Sequence, residues 1–129
     1  MKKSVEEWKK ILPKEVFHIL WEQGTEPPFT GKLVDENRVG IYHCAGCGQE
    51  LFDSSGKFHS GSGWPSFTKP IQKEAVRTKM DMSFGMNRVE VKCSSCDGHL
   101  GHVFDDGPLP EKKRYCINSA ALVFKEEKN

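Results

Sequence analysis

The chain's five cysteines are unevenly placed, and their spacing separates two kinds of chemistry. Four fall into the Cys-x-x-Cys pairs Cys44/Cys47 and Cys93/Cys96. Each pair follows a segment of strand character and has glycine at or just after its turn, Gly46 and Gly48 in the first and Gly98 in the second. This is the knuckle arrangement of a tetrathiolate zinc site: two intervening residues let both sulfurs face one ion at about 2.3 Å, and two knuckles complete a tetrahedron. Four thiolates would close the coordination sphere, so the expected ion is one structural zinc rather than a catalytic metal. Two disulfides or four reduced core cysteines are the alternatives. Such a zinc would tie together hairpins about 45 residues apart in sequence and would contribute on the order of 10 kcal/mol to folding.

Cys116 is left over, in the run Arg114-Tyr115-Cys116-Ile117-Asn118-Ser119. Strand alternation puts Arg114, Cys116 and Asn118 on one face and turns Tyr115 and Ile117 toward the core. A thiol with a pKa near 8.5 is only a few per cent ionised at neutral pH, and the Arg114 charge is expected to raise that fraction. The bland alternative is an inert, packed cysteine. His99 and His102 stand three apart in Gly98-His99-Leu100-Gly101-His102. On a regular strand they face opposite ways, so both reach one site only if Gly98 or Gly101 allows a bulge. Either imidazole can then supply a proton near neutral pH; otherwise each is a surface or satisfied core histidine. In Gly61-Ser62-Gly63-Trp64-Pro65-Ser66-Phe67, small residues and a proline-fixed turn could present Trp64 as a platform, or Trp64 could be a core plug.

The elements that must position these groups are legible in outline. Ser4 with Glu7 forms a capping box, with Trp8, Ile11 and Leu12 on one helical face. Pro13 interrupts, and a second helix is expected over Lys14 to Gln23, with Val16, Ile19 and Leu20 inward and Gly24 as its stop. A turn-rich linker through Gly31 follows. Short β-strands are then expected near Val39 to His43, Val76 to Asp81, Arg88 to Cys93, His99 to Phe104, Arg114 to Ile117 and Ala120 to Phe124. The expected fold is mainly β: two small antiparallel sheets in a barrel-like domain with N-terminal helices. Residues 1–31 form a helical cap and linker, 32–124 the zinc-containing core and 125–129 a solvated tail.

Composition excludes several function classes. At 129 residues the chain suits one domain. A hydrophobic fraction of 36% and a mean hydropathy of −0.59 come with no apolar run near the ~20 residues of a membrane helix. The polar Ser4-Val5-Glu6-Glu7-Trp8 stands where a signal peptide would be apolar, so a soluble, cytoplasmic protein is expected. Nineteen basic and eighteen acidic residues are interspersed, for a net charge of +1, which argues against a nucleic-acid binder. The same balance disfavours a zinc-ribbon recognition module. A redox or zinc sensor, in which oxidation of Cys116 is a signal, remains the other rival.

Taken together, Gly24-Thr25-Glu26, Pro28-Phe29-Thr30-Gly31, the two knuckles, Gly63-Trp64-Pro65-Ser66-Phe67, the run from Gly98 to Pro108 and Arg114-Tyr115-Cys116-Ile117-Asn118-Ser119 resemble the methionine-R-sulfoxide reductases of type B, from about Ser4 to Phe124. The resemblance implies thiol-dependent reduction of methionine-R-sulfoxide, in proteins, peptides or the free amino acid; a monomer is expected. By match of position, Cys116 is the nucleophile, and His99, His102, Arg114 and Asn118 complete the catalytic set. Trp64 and Phe67 bind substrate, and Cys44, Cys47, Cys93 and Cys96 hold zinc. The sulfoxide becomes electrophilic once its oxygen is protonated, so a thiolate and an acid must act together. Many members carry a resolving cysteine where this chain has Ser62. Serine cannot form the internal disulfide, so regeneration by an external thiol is expected: thioredoxin, glutaredoxin or a small thiol.

Overall fold

Two short helices start the chain. Ser4 Oγ accepts from the Glu7 N–H while the Glu7 carboxylate accepts from the Ser4 N–H, and this capping box begins α1 (Val5–Ile11). Pro13 separates it from α2 (Lys14–Trp21). The computed structural model describes residues 4–82, 85 and 87–127. Trp8, Phe17, Ile19 and Leu20 are buried, and Trp8 stacks on Trp21 at 5.6 Å. Ile11, expected on one face with Trp8, is exposed, because α1 ends there and only the Trp8 side of its two turns meets the core. The residue that leaves α2 in the left-handed conformation is Gln23, at φ 52, not Gly24. Gly24 is needed for space: a Cβ there would lie 2.3 Å from the His18 ring, while its N–H donates to the His18 carbonyl.

Among the described residues nine strands follow: β1 (Gly40–Cys44), β2 (Glu50–Asp53), β3 (Lys57–Phe58), β4 (Ser66–Phe67), β5 (Val76–Asp81), β6 (Arg88–Cys93), β7 (His99–Phe104), β8 (Arg114–Ile117) and β9 (Leu122–Glu126). They form two antiparallel sheets, one ordered β2-β1-β9 and the other β3-β4-β8-β7-β6-β5. The supposed tail is therefore partly strand, since Lys125 and Glu126 pair with Ile41 and Gly40. Aromatic rings join the two sheets: Phe67 of β4 stacks on Phe52 of β2 at 4.4 Å and meets Tyr42 of β1 edge-on at 5.0 Å. Phe67 is thus fully buried and is not available to substrate. Burying such rings contributes roughly 2–3 kcal/mol each, so the inter-sheet seam holds β4 and β8, and with them Cys116, in place. No helix among the described residues is long and apolar enough to cross a membrane.

Candidate active site and metal centre

The two knuckles close in the same way by different means. In each, the first cysteine's carbonyl accepts a tight-turn hydrogen bond, Gly48 N–H to Cys44 and Asp97 N–H to Cys93. The left-handed residue is Gly48 in the first (φ 84) and Asp97 in the second (φ 70). Aspartate tolerates that region, and Arg77 pairs with its carboxylate at 3.0 Å. The four Sγ atoms lie within 4.8 Å of one another, with Cys47 3.5 Å from Cys93 and Cys44 3.7 Å from Cys96. A tetrahedron with zinc–sulfur bonds of about 2.3 Å has edges of about 3.8 Å, so the donor set fits one metal ion. Leu20 covers the cluster: its methyl groups sit 3.2 and 3.1 Å from where Cβ atoms would stand on Gly46 and Gly98. Both glycines thus let α2 close over the knuckles.

Cys116 lies in a cleft away from those sulfurs. It pairs with Ser66 of β4 on one side and His102 of β7 on the other. The cleft is lined by Trp64, His102, Arg114, Cys116 and Asn118, together with Ser62, Thr25, Arg88, Gly101 and Phe104. Ser62 Oγ is 4.0 Å from the Cys116 sulfur. Gly101 makes the close packing of β7 and β8 possible, since a Cβ there would stand 2.1 Å from the Cys116 carbonyl oxygen.

The histidine geometry turns on an irregularity in β7. Val91 faces Gly101 but Lys92 faces His99, so Leu100 is an extra residue bulged out of the β6–β7 ladder. A bulge of the kind on which a shared site depended is present, next to Gly101, and the two imidazoles meet edge to face at 5.4 Å. They are not equivalent. His102 lines the cleft, and its Nε2 is 2.8 Å from Asp81 Oδ2. His99 lies behind it, 3% exposed, with Nδ1 2.6 Å from Glu90 Oε2. Burial pushes the His99 pKa down, against the opposing pull of Glu90. Of the two imidazoles, His102 therefore lines the cleft and His99 does not.

The electrostatics of Cys116 differ from the sequence expectation. Burial outweighs the neighbours and raises its pKa, while hydrogen bonding to Ser62 and the charge of Arg114 pull the other way. Arg114 is weaker than expected because its guanidinium is engaged: Nε and Nη2 donate to Asp106 at 2.8 and 3.2 Å, and the group lies 4.5 Å over the Phe104 ring. Asn118 is also committed. Its Nδ2 donates to the Leu100 carbonyl at 3.1 Å and its Oδ1 accepts from the Glu26 N–H at 3.1 Å.

Comparison with known proteins decides the kinship. Residues 12–126 match the family model described as the SelR domain. The chain belongs to the SelR family. A relative named "Peptide methionine sulfoxide reductase MsrB" from Methanosarcina barkeri is 58% identical over 127 residues, covering 98% of this chain and 89% of that protein. One of the same name from Escherichia coli O139:H28 is 51% identical over 128 residues, covering 99% and 93%. Among solved structures, the Mis18 "Yippee-like" domain aligns with a TM-score of 0.57 and 19% identity, covering 71% of this chain and all of that one. That likeness concerns the fold alone.

The SelR domain also contains site residues that the sequence did not single out. Glu26 is the chief one: its carboxylate accepts from the Ser119 and Ala120 N–H groups at 2.8 and 2.9 Å, and its carbonyl accepts from Trp64 Nε1 at 2.9 Å. It thereby locks the Trp64 indole to the end of β8. Asp81 and Arg88, paired at 3.4 Å across β5 and β6, flank His102. Both strands were expected, but their register was not, and register is what puts the pair beside β7.

Proposed function

We propose that this chain is a peptide-methionine (R)-S-oxide reductase, with Cys116 as its nucleophile. The observation that carries the proposal is the single cleft in which the Cys116 sulfur meets the Trp64 indole, the His102 imidazole and Arg114. At about 240 Å³ it is smaller than the ~300–1,000 Å³ of drug-sized ligand sites and suits one side chain. The shared name of the two relatives supplies the reaction class.

The indole of Trp64, held by Glu26, takes the S-methyl group, a contact worth about 0.3–1.5 kcal/mol. His102, oriented by Asp81, donates a proton to the sulfoxide oxygen as the Cys116 sulfur attacks. The oxygen passes to Cys116, methionine leaves, and the thiol becomes a sulfenic acid, so Cys–SH plus sulfoxide gives Cys–SOH plus sulfide. The proton that Cys116 loses on attack balances the one delivered to the sulfoxide oxygen. Two equivalents of an external thiol, from thioredoxin, glutaredoxin or a small thiol, then return Cys116 to the thiol with release of water and a disulfide. Ser62 forms no disulfide, and the other four cysteines sit in the metal cluster. Such chemistry suits a reducing compartment such as the cytoplasm. Cys44, Cys47, Cys93 and Cys96 would hold one zinc, which supplies a closed structural staple and no open coordination position. Substrates include oxidised proteins and peptides as well as free methionine sulfoxide, and the enzyme works as a monomer.

Turnover of dabsyl-methionine-R-sulfoxide with dithiothreitol tests this reading. The wild type should produce methionine continuously and leave the S epimer untouched, and Cys116→Ser should be inactive yet folded and metal-loaded. Activity in Cys116→Ser would refute it.

A further inference from the structure

The cleft wall opposite His102 carries a feature that the reaction outlined above does not use. Ser60, Ser62 and Ser66 form an unbroken row of hydroxyls ending at the Cys116 sulfur. Ser66 Oγ is 2.8 Å from Ser60 Oγ, Ser60 Oγ is 2.8 Å from Ser62 Oγ, and Ser62 Oγ is 4.0 Å from Sγ of Cys116. The row begins in the core: Ser66 is fully buried, is the β-ladder partner of Cys116, and can donate to the Trp64 carbonyl at 3.1 Å. Its bend is set by Gly61 and Gly63, at φ 81 and 96, and by the Ser62 N–H donating to Ser60 Oγ at 3.2 Å.

We propose that these three serines act as a hydroxyl relay, with Ser62 as the group that donates to the charged Cys116 sulfur and Ser60 and Ser66 as positioning residues that reinforce it. Each hydroxyl carries one proton, and Ser60 donates its own to Ser62, which fixes the sense of the row. Ser66 therefore donates to Ser60, Ser60 to Ser62, and Ser62 to the Cys116 sulfur when that sulfur is charged. No net proton enters or leaves the row, so it places hydrogen bonds rather than charge, and each bond polarises the next. Hydrogen bonding from Ser62 opposes the burial that raises the Cys116 pKa, consistent with such a donor.

The charged groups around that sulfur lie elsewhere. Arg114 and its partner Asp106 are on β8 and the preceding loop, Glu26 precedes β1, and Arg88 and His102 are on β6 and β7. None of them bonds Ser60, so removing its hydroxyl isolates the relay. The proposal rests on Cys116 being the reactive thiol, and it predicts a property of the resting protein that can be measured without turnover.

The test is the pH dependence of Cys116 alkylation by iodoacetamide in the zinc-loaded protein, with Cys116→Ser as blank. Ser62→Ala should lower the thiolate fraction at a given pH about tenfold, a shift of about one pKa unit. Ser60→Ala, which removes no atom next to sulfur, should lower it about two- to threefold through the weakened chain. Ser62→Thr, which keeps the hydroxyl, should restore the wild-type profile. Unchanged profiles in both alanine variants would overturn the proposal, as would a shift in Ser62→Ala with none in Ser60→Ala, which reduces the row to one isolated hydrogen bond. Because alkylation does not involve sulfoxide, an active Cys116→Ser enzyme would refute the proposed function separately from these outcomes.

Discussion

Gly101→Ala is the substitution whose consequence follows most directly from the backbone. Gly101 pairs with Val91 on one side and Ile117 on the other. An alanine Cβ would lie 2.1 Å from the Cys116 carbonyl oxygen and 3.0 Å from both the Cys116 carbonyl carbon and the Ile117 Cα. All three are main-chain atoms, so no rotamer change relieves the clash, and β8 must move from β7 by about 1 Å to restore ordinary contact distances. Overpacking of this kind costs about 1–3 kcal/mol. The same displacement separates Cys116 from His102, and a 1 Å misplacement of reacting groups lowers rate by about 100-fold. Urea denaturation should show a lower midpoint at unchanged slope, and kcat for methionine-R-sulfoxide should fall well beyond what the lost stability explains. A variant with wild-type midpoint and kcat would refute the claim that β7 and β8 are held together through this glycine.

Other perturbations separate the roles of the remaining groups. Replacing Glu26 by alanine removes the acceptor for the Ser119 and Ala120 N–H groups. It should cost about 2–3 kcal/mol in chemical denaturation and raise KM as the Trp64 brace loosens, with Glu26→Gln intermediate. Chelation, or Cys44→Ser, should release the metal and abolish cooperative thermal unfolding, because zinc binding of on the order of 10 kcal/mol is folding energy; metal content and calorimetry on the same sample read this out. Because the folded-state pKa of Cys116 is raised, the neutral thiol's contribution to stability is full below the unfolded value. It is lost as pH rises through the folded value. Wild type should therefore lose stability relative to Cys116→Ser above about pH 8.5, as the difference between their urea midpoints against pH will show.

Much of this was legible in the residues, and the gaps have physical causes. The capping box, the knuckles and the strands over 76–81, 88–93, 99–104 and 114–117 follow from local patterns that the fold obeys. Strands β2, β3 and β4 were not anticipated. β3 and β4 have two residues each, too few to show alternation, and β2 reads as an apolar pair between polar ends. Arg114, Cys116 and Asn118 share a face by the alternation expected of β8, and Trp64, from the turn before β4, lines the same cleft. Phe67 was misassigned because its motif neighbour Trp64 faces the cleft, while alternation along β4 turns Phe67 to the core. His99 and His102 differ because of one bulged residue, which periodicity does not encode. Glu26, Asp81 and Glu90 were missed for a common reason. Their importance comes from partners up to 94 residues away, and only folding brings those together.

In the proposed reaction Cys116 takes oxygen from sulfoxide and keeps it until an external thiol arrives. Intact-mass and peptide analysis after a single turnover without reductant tests this most directly. It predicts one methionine per chain and one added oxygen, localised by a sulfenic-acid trap to Cys116. Loss of two hydrogens through an internal disulfide, or product formed with Cys116 unmodified, would contradict it.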